Sequence, residues 1–304
     1  MRVISQEQGN LHFSRGHHWP QPQFSERFGP RLRRWILGAA YALQPKRIAL
    51  MPRLTALTFA HIISPVGSTQ ELLREAVPYR KEGLIGISND LTVNALLSAY
   101  SRGSFPVCHL GPTKWWSPEQ RAVLFFDDAH IEKGTVKQIR QDRFDVTFDH
   151  DFTAVMQACA EPRPGKTPLT WLTPQIMQGF WELHRAGYAH SIEVWNLEPQ
   201  LVGGIFGVAI GEVFFGESQF SRVPGASKIA SAFLNAHLAK WGFVLRDAKW
   251  MSSHLAALGF RAVDRDTFIE LLRHHASKPS RVGVWDVDET VEVTRHAARA
   301  SSGK

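Results

Sequence analysis

Gly216-Glu217-Ser218-Gln219-Phe220-Ser221-Arg222, followed at once by Ser227-Lys228, decides how this chain is read. The apolar run Val213-Phe214-Phe215 ends in a carboxylate, a loop follows, and a helical pattern begins at Ser227. A carboxylate at the end of a buried strand beside a helix N-terminus is a place where chemistry is commonly put. The plainer alternative is a strand–loop–helix junction with a solvated Glu217. Working outward, His190 to Trp195, Gln200 to Val208 and Glu212 to Gln219 read as consecutive strands, with Gly211 turning between the last two. Ser227 to Trp241 reads as a helix ended by Gly242, and Phe243 to Ala248 as another strand. Helices, an antiparallel meander, a glycine-bearing loop, a helix and a further strand make an α+β order.

Upstream, Phe144 to Phe148 alternates like a strand and Phe152 to Ala160 is helical. Thr173-Pro174 opens a helix with a cap residue and then proline, and this helix runs to about Ala186. Asp90 is expected to cap a helix carrying Val93, Leu96, Leu97 and Tyr100, closed by Gly103. Trp115-Trp116-Ser117-Pro118 leads into a short strand, Ala122 to Phe126. Downstream, Leu255 to Leu258 and Phe268 to His275 are the last helices. The expected division is residues 1–70 as an N-terminal extension, partly disordered or helical; 71–140 as a small domain; 141–277 as the main domain; and 278–304 as a weakly patterned, loose tail.

The 304 residues are 44% hydrophobic and 21% charged, which suits one large globular domain or two smaller ones. A formal charge of +7 makes a polyanion a reasonable partner. Arg31, Arg33, Arg34, Lys46, Arg47 and Arg53 stand among apolar residues between Arg31 and Ile63. This stretch is either a basic amphipathic surface for membrane or nucleic acid, or a helical extension packed on the core; packing is the expectation. Cys108 and Cys159 are far apart and form no CxxC, which fits a reducing compartment. No long uncharged apolar segment indicates a transmembrane helix. Met1 to Asn10 has no basic region followed by an apolar core, so no secretory signal is read there and the expected location is cytoplasmic. The 14 histidines, His17-His18 and His274-His275 among them, show no ligand spacing with Cys or carboxylates, so no metal is expected.

The element order resembles the Gcn5-related acyltransferases, whose loop between strand and helix holds a pyrophosphate on backbone N–H groups. Here that loop is Arg222-Val223-Pro224-Gly225-Ala226-Ser227, in which Pro224 lacks a donor and Ser227 replaces a small residue. A wider set of motifs resembles leucyl/phenylalanyl-tRNA–protein transferases. It comprises Gly83-Leu84-Ile85, Asn89-Asp90-Leu91, Ala99-Tyr100-Ser101-Arg102-Gly103-Ser104-Phe105-Pro106 and Trp115-Trp116-Ser117-Pro118-Glu119-Gln120-Arg121. Thr170-Trp171-Leu172-Thr173-Pro174, Leu183 to Trp195, Leu201 to Ala209, Gly216 to Arg222, Ser227-Lys228, Asp247 and His254 to Gly259 follow in family order. The resemblance covers roughly residues 71–275 and leaves the leader without a counterpart.

The resemblance implies an acyl-transferase-like, Gcn5-related fold: an antiparallel or mixed sheet with flanking helices, plus a smaller N-terminal α/β domain. It implies transfer of an amino acid from the 3′-terminal adenosine of aminoacyl-tRNA to the N-terminal amine of an acceptor protein or peptide, usually one beginning with Arg or Lys. The product is then marked for degradation under the N-end rule, and no cofactor or metal is needed. The ester is already activated, so the enzyme must orient an amine and stabilise an oxyanion. By the resemblance, Asp247 takes part in removing the amine proton. Glu217 holds the cationic amine or the basic acceptor side chain. Trp171, with Trp116, meets the terminal adenosine, where stacking is worth about 1–3 kcal/mol per base.

Departures from the family pattern qualify these roles. Val107 stands where the family has Trp, Lys249 where it has a Gln thought to assist catalysis, and Gln219 where it has Met. Lys249 is placed to donate to an oxyanion or to pair with Asp247. The family's apolar pocket for Leu or Phe would here be lined by Ile205, Phe214 and Leu234, but also by Gln219, Ser231 and Arg246. Uncompensated polar groups there cost about 1–3 kcal/mol each, so a polar or acidic aminoacyl group is expected. The competing readings are an acyl-CoA-dependent N-acyltransferase and a catalytically inactive tRNA-binding paralogue.

Overall fold

The computed structural model describes residues 22–26, 28–64, 67–75, 81–162, 165 and 168–294. The chain divides into two compact units. The first holds residues 22–119 and 160–182. It opens with helices α1 (Phe28–Ala42), α2 (Pro45–Ile48), α3 (Met51–Ile63) and α4 (Thr69–Glu75). Then come β1 (Leu84–Ile87), α5 (Val93–Ser101), β2 (Phe105–Val107) and β3 (Lys114–Trp116), with the strands in the antiparallel order β1-β3-β2.

Two expectations change in this unit. Thr92, not Asp90, caps α5 by accepting the Ala95 N–H. Asp90 lies two residues further out, where its carboxylate accepts from the backbone N–H and hydroxyl of Thr92 and from the Thr69 N–H. It closes the turn before the helix instead of the helix itself. The basic stretch is helical as expected, but α1 packs on its unit only through one side, where Arg34 donates to Glu26 and to the His109 carbonyl. Its apolar stripe stays exposed.

The second unit contains the described residues of 120–159 and 183–294. In chain order, β4 (Gln120–Phe125), α6 (Lys133–Arg140), β5 (Phe144–Phe148) and α7 (Phe152–Ala160) precede α8 (Pro174–Arg185), most of which counts with the first unit. There follow β6 (Ala189–Asn196), β7 (Leu201–Ile210), β8 (Val213–Ser221), α9 (Ala226–Lys240), β9 (Leu245–Asp247), α10 (Ser253–Ala257), β10 (Arg261–Asp264) and α11 (Arg265–His275). Seven strands form one sheet in the order β10-β4-β9-β8-β7-β6-β5. Only β8 and β9 run parallel, so the sheet is mixed and the architecture α+β.

Helix α9 is the core of this unit. Ile229, Ala230, Phe233, Leu234 and Leu238 bury themselves against Ile192, Val194, Ile205 and Phe214. Each such large side chain is worth about 1.5–3 kcal/mol. The close approach needs Gly203, because a Cβ there would stand 2.5 Å from the Ala226 Cβ. Gly225, at φ 90°, precedes the helix in a conformation that costs glycine nothing.

The tail after Ser277 was expected to be loose, and through Thr294 it is not. Trp285 is 1% exposed, stacks on His190 at 3.7 Å between ring centroids, and donates its backbone N–H to Asp149 Oδ2 at 2.8 Å. Val287 and Val293 are also buried. A few anchors spaced irregularly along an extended chain give no periodicity to read.

Candidate active site

The parallel pair β8–β9 gathers most of the charged residues singled out in the sequence. Opposite β7, Phe206 faces Ser218 and Gly207 faces Gly216, which leaves Glu217 as the extra residue of a β-bulge. A bulge re-aims the side chain it carries. Glu217 uses this to reach Lys249, whose ammonium lies 2.6 Å from Glu217 Oε1 and 2.7 Å from the Gly216 carbonyl oxygen. Both side chains are buried, Glu217 completely.

Lys249 sits just past the end of β9 at φ 65°, in the left-handed region that non-glycine residues seldom occupy. Its backbone is fixed from two sides: its carbonyl accepts from Ala122 N–H at 3.1 Å, and its N–H donates to Asp247 Oδ1 at 3.1 Å. Strain of this kind is kept where the surroundings over-determine it, and it clusters at functional sites. The ammonium of Lys249 thus pairs with Glu217, and its backbone N–H meets Asp247.

Asp247 is wholly buried and bound through both oxygens by Arg121, with Nε to Oδ1 at 3.0 Å and Nη2 to Oδ2 at 2.6 Å. The Arg121 guanidinium, 1% exposed, lies 4.3 Å over the Phe268 ring of α11. Arg121 had no assigned role in the sequence reading. Its signal was a lone arginine entering the apolar strand Ala122-Val123-Leu124, where a cation needs a buried partner.

One residue earlier, Arg246 points to the opposite face of β9 and meets α9. Its Nη1 donates to Ser231 Oγ at 2.8 Å and Asn235 Oδ1 at 3.0 Å. Burial pulls its guanidinium down to about 10. Ile205, Phe214 and Leu234 belong to the apolar core under the same face, and Gln219 faces Ile205 across β7–β8. Ser231 and Asn235 also line a small cavity of about 30 Å³, together with Lys228 and Glu132, which form an ion pair at 2.7 Å. Asn235 is a second residue the sequence reading passed over; it lies one helical turn after Ser231 on α9, the spacing that places two side chains on one face.

The loop Arg222 to Ser227 closes on itself. The Ser227 N–H donates to Ser221 Oγ, the Ser221 hydroxyl donates to the Val223 carbonyl, and Gln138 donates to the Pro224 carbonyl. A Cβ at Gly225 would meet Gln138 Oε1 at 2.1 Å. Trp171 and Trp116 belong to the first unit. Trp171 is half-buried, edge-on to Phe180 at 6.1 Å, and Trp116 donates its indole N–H to the Val107 carbonyl. Among the described residues, no group of three or more His, Cys, Asp or Glu could hold a metal ion, and no helix is long and apolar enough to cross a membrane. Cys108 and Cys159 are both buried and form no disulfide among the described residues.

A mixed α+β sheet with strained, buried charges gathered where two parallel strands end is the layout of an enzyme. Sequence models of the leucyl/phenylalanyl-tRNA protein transferase match residues 123–273, and models of that family's N-terminal domain match residues 89–119. A leucyl/phenylalanyl-tRNA–protein transferase of Pseudomonas syringae pv. syringae is 46% identical over 199 residues, covering 65% of this chain and 86% of its own. Those of Azotobacter vinelandii (45% over 207 residues, 68% and 91%) and Ectopseudomonas mendocina (48% over 200 residues, 66% and 88%) are similar. The chain belongs to the leucyl/phenylalanyl-tRNA–protein transferase family. Among solved structures, L-PGS from Bacillus licheniformis aligns over 59% of this chain and 62% of its own at 11% identity, with a TM-score of 0.31 that carries no weight for fold or function.

Proposed function

We propose that this protein transfers an amino acid from an aminoacyl-tRNA to the N-terminal amine of a protein or peptide. The observation that carries this reading is the pairing of Glu217 with Lys249 at the β8 bulge, in a chain of a family named for that transfer. The amine nitrogen attacks the ester carbonyl, a C–N bond forms, and the ribose oxygen leaves with a proton. Lys249 donates to the oxyanion that develops on the carbonyl, and Glu217 with the Gly216 carbonyl holds the ammonium in place. Asp247 is committed to Arg121 and to the Lys249 N–H, which supports a positioning role: it fixes the strained turn that presents Lys249. Trp171 and Trp116 stack on the 3′-adenosine.

A meander, a loop, a helix and a strand parallel to the last meander strand support a Gcn5-related catalytic domain built on the seven-stranded sheet, which takes in β4 from the stretch expected to belong to the small domain. Acyl-CoA use is disfavoured because the Ser227 N–H already has an acceptor. An aminoacyl-tRNA substrate supports a cytoplasmic location.

The test is incubation of the purified full chain with tRNA pools, each charged with one labelled amino acid, and peptides of varied N-termini. Label at the peptide N-terminus, abolished by Glu217→Ala, is the expected result. Bound tRNA with no transfer from any pool would leave the chain a tRNA-binding protein and end the catalytic reading.

A further inference from the structure

Arg246 is a buried cation with no ion pair among the described residues. Its two acceptors, Ser231 and Asn235, are neutral, and among the described residues no hydrogen bond reaches its Nε, which is shielded from solvent. Burying a guanidinium costs several kcal/mol unless a carboxylate or comparable partner offsets it. The guanidinium edge that carries Nε and Nη2 is the one that grips a carboxylate through two parallel hydrogen bonds. Beside that edge stands Gly216, where an added Cβ would lie 3.5 Å from Nε, 3.7 Å from Nη2 and 3.3 Å from the Asp247 carbonyl oxygen, so any side chain there would pack against the edge. Gly216 is also the residue whose carbonyl holds Lys249.

We propose that the aminoacyl group transferred here is acidic, aspartyl or glutamyl, and that its side-chain carboxylate binds the Nε–Nη2 edge of Arg246. The inference rests on reading Glu217 and Lys249 as the reacting centre. The transfer itself needs no further reactant: the amide C–N bond forms, the ester C–O bond breaks, and the amine proton leaves as the ribose hydroxyl gains one.

The experiment pairs transfer with binding. Rates are measured for tRNA charged with Asp, Glu, Leu or Phe, using wild type, Arg246→Leu and Gly216→Ala. In parallel, binding is measured for stable glutamyl- and leucyl-adenosine analogues with amide-linked 3′ positions. Discrimination by a buried hydrogen-bonding group is expected to favour the acidic residue by about a hundredfold or more. Arg246→Leu should reverse that preference, and Gly216→Ala should weaken it by crowding the edge. Wild-type preference for Leu or Phe, or a preference unchanged in Arg246→Leu, overturns the proposal. If nothing is transferred, the transferase reading falls. The analogues then decide: glutamyl-adenosine binding that is lost in Arg246→Leu upholds the acidic site, and equal binding of both analogues removes it.

A separate observation carries a second inference. Helices normally turn their apolar stripe to the core, and α1 does the reverse. Phe28, Leu32, Trp35 and Ile36 recur at helical spacing and are all exposed, as is Leu43 just past the helix end. The inner side instead carries Arg34, Gly38, whose added Cβ would lie 3.1 Å from Leu110, and Tyr41, edge-on to His109. Residues 28–63 contain no Asp or Glu, and α3 adds exposed Phe59, Ile62 and Ile63. We infer that this face docks on an anionic lipid surface, lying in the headgroup layer with arginines toward phosphates. Aliphatic exposure of this kind favours lipid over RNA, which is bound by charge and stacking. Co-sedimentation of the full chain with phosphatidylglycerol vesicles, but not phosphatidylcholine vesicles, is expected at low salt. It should be lost in Leu32→Glu/Ile36→Glu with the melting temperature kept. Equal recovery with both vesicle types overturns the inference. So does a double variant that leaves vesicle binding intact, or that instead loses tRNA retention or self-association.

Discussion

Strand β9 carries two charged residues to opposite faces of one sheet, and the faces treat arginine differently. On one side Arg121 is matched by Asp247, oxygen for nitrogen, in complete burial. On the other, Arg246 is also buried, but its hydrogen-bond acceptors are the neutral Ser231 and Asn235, and its guanidinium lies 5.7 Å over the Phe260 ring. A matched buried pair is closed and structural; it has nothing left to offer a substrate. An unmatched buried cation is costly in the empty protein and favourable only when an anion arrives. On the proposed reading, Arg121 and Asp247 build the site and Arg246 reads what enters it.

The largest effect should come from breaking the matched face. Arg121→Leu leaves Asp247 buried without its cation and is expected to cost about 3–5 kcal/mol, read as a fall in denaturant midpoint at unchanged slope. Replacing both partners, Arg121→Leu with Asp247→Leu, should return most of the loss. A single variant as stable as wild type would remove the distinction between the faces.

Glu193 supplies the mirror case, a buried carboxylate with neutral donors. Ser191 and Thr147 hydrogen-bond to it, and burial pushes it up to about 7. The folded state then holds its proton more tightly than the unfolded chain, so this contribution is full at acid pH and is lost as pH rises from the ordinary 4.5 through about 7. At about 1.4 kcal/mol per unit the loss is roughly 3 kcal/mol. Stability measured at pH 5 and pH 8 should show it in wild type, and Glu193→Gln should flatten it.

Lys249→Gln replaces a buried ion pair by a neutral hydrogen bond and should cost about 1–3 kcal/mol. It also frees the Glu217 carboxylate from the ammonium, so transfer to peptides beginning with Arg or Lys should rise relative to other peptides. An unchanged acceptor profile would separate Glu217 from acceptor choice. The smallest effect belongs to Arg246→Leu, which removes a cation that has no anion to abandon. Its stability should match wild type within about 1 kcal/mol or exceed it, in contrast to Arg121→Leu, and a large loss would show that Arg246 is structural after all.

Much of the second unit was legible beforehand. Strand β5 and helix α7 have the expected limits, and β6, β7, β8 and α9 differ from theirs by one or two residues. Their apolar runs are long, buried and cut by glycines, so pattern and burial agree. Strands β1, β2, β3 and β10 and helix α6 were not read, being short and set among Trp, Pro and charged residues that carry no clear period. Glu217, Asp247 and Lys249 were named from motifs, but the sequence offered Asp247, not Glu217, as the ion-pair partner of Lys249, and gave Asp247 no arginine. Lys249 reaches Glu217 across 32 positions and Arg121 reaches Asp247 across 126.

The sequence by itself determined the family, the α+β order of the main unit and the residue types available for chemistry, because these are properties of local pattern and motif. Only the tertiary structure decided which charge meets which. The bulge at Glu217, the left-handed turn at Lys249 and the two faces of β9 are set by strand register. Register is a long-range agreement between segments, so a single strand read alone cannot show that Arg121 is answered and Arg246 is not.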